Sequence, residues 1–259
     1  MDNKEDDEIH AYKRKKDGTV IRLKSVNTIG KLKRHPTAFH SCTGACGVVP
    51  NFFIDKMWKP KRIMELARQY PDHTQAQIEE ELWGWREGQY GIMNSGLFGT
   101  EAHESMEFHL QDLDNYPDFT YKDWYSWLCE EFIDYVTEHD YMVEKTEYMD
   151  IDDIEGVGMT IDFIAKTSTK KFHLFDFKFR DCNVPSSATY DKDLVQLAEN
   201  SITIMRNWKL DYLPPIHSVV VDVNTGKTHV KRWKQSLQLL GIEAFSHANW
   251  LYKFTHRML

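Results

Sequence analysis

GMTIDFIAK (158–166) and KFHLFDFKF (171–179) are the two stretches that decide the reading of this chain. Both are rich in β-branched and aromatic residues and both read as strands. Strand side chains alternate faces. The first stretch sets Thr160, Asp162 and Ile164 on one face and Ile161 and Phe163 on the other. The second sets Asp176 and Lys178 on one face, while Phe175, Phe177 and Phe179 point the opposite way into a core. Thr167 to Lys170 between them suits a hairpin loop. Pairing then gathers two carboxylates and an ammonium group beside an aromatic core. Such oxygen donors suit Mg²⁺ or Mn²⁺, and a lysine beside them can orient a water or help to deprotonate it. The plainer alternative is a structural charge network in which Lys178 is only the partner of two buried acids.

Further residues add to this cluster. His103 and Glu107, in GTEAHESME (99–107), are four apart on a predicted helix and face the same way. Imidazole and carboxylate together can supply further metal ligands. Gln196 lies in DKDLVQLAEN (191–200), on a predicted helix over 190–207 that follows Lys178. Asp191 and Asp193 belong to the start of that helix, where acids offset its dipole.

Composition bounds the rest. The 259 residues are 41% hydrophobic, with eight Trp, twelve Tyr and fourteen Phe, which is ample for a core. A net charge of −8 argues against nucleic-acid binding over the whole surface but leaves room for a local basic channel. No stretch approaches the roughly 20 apolar residues of a membrane helix. The opening MDNKEDDEIH is acidic, unlike a signal or transit peptide, so a cytoplasmic location is expected, in the host if the chain is phage-encoded. Cys42, Cys46, Cys129 and Cys182 form no disulfide framework and read as reduced thiols.

Residues 13–34 hold nine Lys or Arg and one acid, Asp17. Asp17-Gly18 reads as a turn between short strands near 9–14 and 19–25. Lys13, Arg14, Lys15 and Lys16 are either a solvated basic hairpin or a phosphate contact. Lys59, Lys61 and Arg62 carry the same two readings. Residues 36–115 read as helical with interruptions. Thr74 caps one helix, Ser95 or Thr100 opens the next, and Thr120 caps a third. In that third helix Trp124, Trp127, Leu128, Phe132 and Val136 form a core stripe. Strands follow at 141–149, 217–223 and 228–233, and a last helix covers about 246–258. The expected organisation is a basic N-terminal arm or hairpin over 1–35 and a single α/β domain over 36–259 with a mixed central sheet flanked by helices.

Taken together, Gly99 with His103, Asp162, Asp176 with Lys178, and Gln196 resemble, in order, the motifs of the PD-(D/E)xK nuclease superfamily. The chain looks most like its RecB-type exonuclease branch, which includes phage exonucleases and mitochondrial genome maintenance exonuclease. CTGACGVVPNFFIDKMWKPKRIMELA (42–67) is similar to the opening segment of that branch, so the resemblance spans about 42–208. It implies a restriction-endonuclease-like core and a Mg²⁺- or Mn²⁺-dependent DNA exonuclease acting on free ends in recombination, replication or repair, with a protein partner from those processes. It implies metal ligation by Asp162, Asp176 and His103, with the Phe177 carbonyl as an extra ligand, activation of water by Lys178, and a DNA contact or a polar scaffolding role for Gln196. Glu107, placed beside His103 by helix spacing, either coordinates, directly or through water, or only holds His103. Two features depart from the branch. Asn200 stands where a Tyr is common, and the cysteine spacing does not match that of the iron–sulfur members. The alternatives are a structure-specific endonuclease on the same fold and a non-catalytic nucleic-acid-binding scaffold.

Overall fold

In the computed structural model the described residues are 9–35, 37–46, 95–111, 122–180, 182, 184–223, 225–256 and 258, with isolated positions between 64 and 77. The strands are β1 (Ala11–Arg14), β2 (Val20–Arg22), β3 (Phe39–Ser41), β4 (Met142–Asp152), β5 (Val157–Lys166), β6 (Phe172–Arg180), β7 (Ile216–Asp222) and β8 (Thr228–Arg232). The helices are α1 (Ile29–Lys33), α2 (Cys42–Cys46), α3 (Ser95–Leu110), α4 (Lys122–Glu138), α5 (Asp191–Asn207) and α6 (Gln235–Thr255). The fold is α/β. One mixed sheet runs β2-β1-β3-β5-β6-β7-β8, with β4 pairing along β5. Pairing is antiparallel except at β3–β5 and β6–β7, and α5 makes the crossover that the parallel β6–β7 pair requires.

Helices cover both faces of the sheet. On one face, Phe98, Ala102 and Met106 of α3 and Leu128, Phe132 and Val136 of α4 meet Phe163, Phe175 and Phe177. The spacing of the α4 residues is that of one helix face, and the Phe132 ring lies 5.0 to 6.1 Å from all three strand phenylalanines. On the other face, Leu194, Leu197 and Ala198 of α5 and Phe245 of α6 pack on Met159, Ile161 and Ile164. Strand β7 is buried along its whole length, as a strand covered on both faces must be.

Several expectations change here. The alternation read along β5 does not hold throughout. Ile161 packs against α5 and Phe163 against α4, so neighbours expected on one face lie on opposite faces. The slip falls at Asp162. Opposite it, between the pairs Thr146–Phe163 and Tyr148–Ile161, Glu147 has a φ of 43° and breaks the pleat of β4. The last helix begins at Gln235, well before 246. Gly241 lies inside it, where an added Cβ would come 2.8 Å from the Ala198 Cβ. That glycine serves close packing of α6 on α5 rather than termination. Strand β3 stands within a region read as helical. The β1–β2 hairpin forms as expected around Asp17-Gly18, but it extends the central sheet through β3. At 74–77 the Gln77 N–H donates to Thr74 Oγ1 at 3.4 Å, and the Thr74 N–H donates to Gln77 Oε1 at 2.9 Å, a reciprocal helix start. Among the described residues no helix is long and apolar enough to cross a membrane.

Candidate functional site

The sheet opens at one point. Along one edge of β5, β3 pairs with Val157 and Gly158, while β6 pairs with Phe163 to Lys166. Neither partner reaches Asp162. In an unbroken β5–β6 ladder Phe177 would lie opposite Ile161. Instead the Phe177 N–H donates to Asp162 Oδ2 at 2.6 Å. Within a strand the N–H and C=O of one residue face the same edge, so the Phe177 carbonyl also faces this opening.

Four elements send side chains toward it. Strand β6 carries Asp176 and Lys178, two apart and on one face. Lys178 Nζ lies 2.8 Å from Asp176 Oδ1 and 2.7 Å from Oδ2. Asp176 Oδ2 is buried, and that short approach lacks the geometry of a hydrogen bond. Gln196, from the second turn of α5, donates to Asp176 Oδ1 at 3.4 Å. His103 comes from α3, with its Nδ1 3.6 Å from Asp162 Oδ2. Its ring stands edge-on to Phe177 and Phe179, 6.1 and 5.5 Å away, which fixes its plane. Glu147 comes from β4, with Oε1 3.9 Å from His103 Nδ1.

Burial sets the electrostatics. It raises Asp162 above the usual carboxylate range, although His103 and Lys178 pull it back. It pushes Asp176 up to about 6 against the pull of Lys178. Burial alone would lower His103 and Lys178. The carboxylates of Asp162 and Glu147 hold His103 above its ordinary value, and those of Asp176 and Asp162 do the same for Lys178. The site is thus rich in negative charge, which its two cationic groups offset only in part.

Of the residues singled out from sequence, Asp162, Asp176, Lys178, His103 and Gln196 come together. Glu107 does not join them. Its Oε1 accepts from Thr146 at 2.6 Å and from Gln111 at 2.9 Å. Glu147 stands beside His103 instead, and no periodicity marked it. Arg14 is tied down, donating to the Ile151 carbonyl at 3.1 Å and to Asp153 at 3.3 Å. Lys15 and Lys16 are exposed on the turn and Lys13 is half-buried. Lys59, Lys61 and Arg62 lie outside the described residues. Asp193 has a partner beyond its helix end, since Arg180 Nη2 donates to both of its oxygens at 3.0 and 2.9 Å.

Gly158 has a clear local reason. The Tyr12 ring of β1 lies so close that a Cβ on Gly158 would come 2.3 Å from Tyr12 Cγ. The Tyr12 hydroxyl is 3.1 Å from Thr160 Oγ1. The basic hairpin is therefore packed against the strand that carries Asp162.

The donors fit a hard divalent cation. The buried Asp176 carboxylate, the partly buried Asp162 carboxylate and the His103 imidazole come together at the edge that the Phe177 carbonyl faces, and Asp176 Oδ2 is buried with no directional hydrogen bond. No family model matches the chain, and no curated protein matches it either.

Proposed function

We propose that this chain is a divalent-metal-dependent phosphodiesterase acting on DNA ends, built on a restriction-endonuclease-like core of the PD-(D/E)xK kind. The observation that carries the reading is the convergence of Asp162, Asp176 and Lys178 where β5 and β6 part, with His103 arriving from α3. Asp162 and Asp176 would hold Mg²⁺ or Mn²⁺ with the Phe177 carbonyl and His103. A bound dication supplies charge to stabilise the scissile phosphate and the leaving oxygen. Lys178, held beside Asp176, orients the attacking water toward phosphorus by donating to it. Gln196 fixes the free rotation of the Asp176 carboxylate. Phe132 of α4, packed with Phe163 and Phe175 behind Phe177, keeps the β6 backbone rigid, so the carbonyl and both acids hold their spacing.

Exonuclease action, and a place in recombination, replication or repair, follow from the motif resemblance, since the same site chemistry also serves internal cutting. The test is digestion of end-labelled linear DNA, single- and double-stranded, beside closed circular DNA, in Mg²⁺ or Mn²⁺. Loss of linear DNA alone, abolished by Lys178→Ala, supports an exonuclease. Cutting of circles supports an endonuclease. No Lys178-dependent cleavage of any substrate removes the enzymatic reading in favour of a binding scaffold.

A further inference from the structure

Helix α6 buries one face and leaves the opposite one bare. Gln238, Gly241, Phe245, Ala248 and Tyr252 are turned inward, with Gly241 against Ala198 of α5. The exposed positions from 237 to 254 lie outside that stripe, and of these only Glu243 and His247 are polar. Among the described residues eleven large hydrophobic side chains are exposed, and six of them sit on this one helix, 39 to 59% open. Single exposed hydrophobics are ordinary, whereas a patch of this density marks a contact surface.

The spacing is that of a helix seam. Leu237, Leu240, Ala244, His247, Leu251 and Phe254 follow at intervals of three, four, three, four and three residues, the a and d positions of a coiled coil. Trp250 and Phe254 are stacked, with ring centroids 5.3 Å apart and planes within 9°, so the C-terminal end offers an aromatic platform. The N-terminal end is aliphatic, with Leu237, Leu239 and Leu240. Glu243 and His247 lie between the two ends.

That order fits a second copy of the chain. The intervals are the same in reverse, so an inverted copy of the helix meets the seam position for position. Leu237 then lies against Phe254 of the partner subunit, Leu240 against Leu251 of the partner subunit, and Ala244 against His247 of the partner subunit, small against large. Glu243, next to Ala244, comes beside His247 of the partner subunit, and the two-fold axis makes that contact twice. A parallel pairing would instead set Glu243 against Glu243 of the partner subunit. The area agrees. Six large side chains with these exposures open on the order of 600 Å² of apolar surface, at the top of the range for a monomer's largest patch and near the roughly 800 Å² that each partner gives to a standard interface. We propose that α6 is the interface of a two-fold symmetric dimer, in which the α6 helices of two copies pack antiparallel. The dimer does not depend on what reaction the site performs.

The test is sedimentation velocity on the full chain at rising concentration. The wild-type chain should pass from one chain per particle to two, with a dissociation constant on the order of micromolar. Leu240→Glu and Leu251→Glu should each weaken association by about tenfold or more, and both should melt as the dilute wild-type chain does. If either charge disturbs folding, Leu240→Ser and Leu251→Ser should weaken association in the same way. Glu243→Lys should also weaken it, and adding His247→Glu to that chain should restore it. Direction is read by mild oxidation with diamide. A mixture of Leu240→Cys and Leu251→Cys chains should form disulfide-linked dimers. Leu240→Cys alone should not, because its two copies lie about 16 Å apart along the helix axis, beyond disulfide reach. One chain per particle at every concentration, a dimer unmoved by both Leu240→Glu and Leu251→Glu, or crosslinking of Leu240→Cys alone overturns the proposal.

Discussion

The Asp162 carboxylate takes the place of a strand, with its Oδ2 accepting the Phe177 N–H at 2.6 Å where β6 has left β5. That one bond gives Asp162 two tasks, to close a broken ladder and to present charge at the break. The tasks separate by mutation. Asp162→Asn keeps an acceptor for Phe177 and should fold with near wild-type stability, yet lose the rise in melting temperature that Mn²⁺ produces. Asp162→Ala loses both and should be destabilised by about 1–3 kcal/mol, because a buried N–H is left without its partner. Thermal melts with and without Mn²⁺ check both. An Asp162→Asn chain still stabilised by Mn²⁺ would remove Asp162 as a ligand.

Gly158 tests how far the hairpin supports the site. A methyl group there would overlap the Tyr12 ring. Gly158→Ala should cost about 1–3 kcal/mol through overpacking. Tyr12→Leu in the same chain should restore part of that loss, a coupling that a double-mutant cycle measures. Additive effects would show that the ring and the glycine do not meet.

The Arg180–Asp193 pair locks the start of α5 to the end of β6. Asp193 is buried, and it also accepts the Tyr190 N–H at 3.0 Å. Arg180 stacks on the Tyr190 ring at 4.1 Å. Asp193→Ala strands the guanidinium and frays the helix start, and should destabilise by about 3–5 kcal/mol. Because Gln196 is one turn further along α5, Asp193→Ala should also lower Mn²⁺ affinity. Urea denaturation and the same Mn²⁺ titration read the two effects.

Glu199 makes stability depend on pH. Both of its oxygens are buried, beside the carboxylates of Asp152 and Glu155. Burial first, then these acids, push it up to about 8. A carboxyl raised in the folded state contributes fully below its unfolded pKa, and that contribution is lost as pH rises through the folded value. Stability should therefore fall between about pH 5 and pH 8 by roughly 2–4 kcal/mol from this group. Glu199→Gln should flatten that slope and raise the melting temperature at pH 8 but not at pH 5. An equal slope in both chains would contradict the assignment.

The sequence carried most of the secondary structure around the site because its signals are local. The aromatic alternation of KFHLFDFKF and the helical spacing of Leu128, Phe132 and Val136 each depend on a few neighbouring residues. What was not legible depends on residues far along the chain. Strand β3 is three residues long and is a strand only because β1 and β5 flank it. The side-chain slip at Asp162 lies opposite the left-handed Glu147 of another strand. Glu147 itself sits in an ordinary polar run, and only the fold brings it to His103. The start of the last helix at Gln235 was likewise missed, and the close fit of Gly241 against Ala198 belongs to the packing of two helices distant in the chain.

The central claim is that Asp162, Asp176 and Lys178 form one hydrolytic centre. The most direct measurement is label release from end-labelled linear DNA in Mn²⁺, comparing the wild-type chain with Asp176→Asn and Lys178→Ala at matched folded concentration. Asp176→Asn should lose cleavage and Mn²⁺-dependent stabilisation together, while Lys178→Ala should lose cleavage and keep the stabilisation. Cleavage by either variant at the wild-type rate, or none by the wild-type chain in any divalent metal, would contradict it.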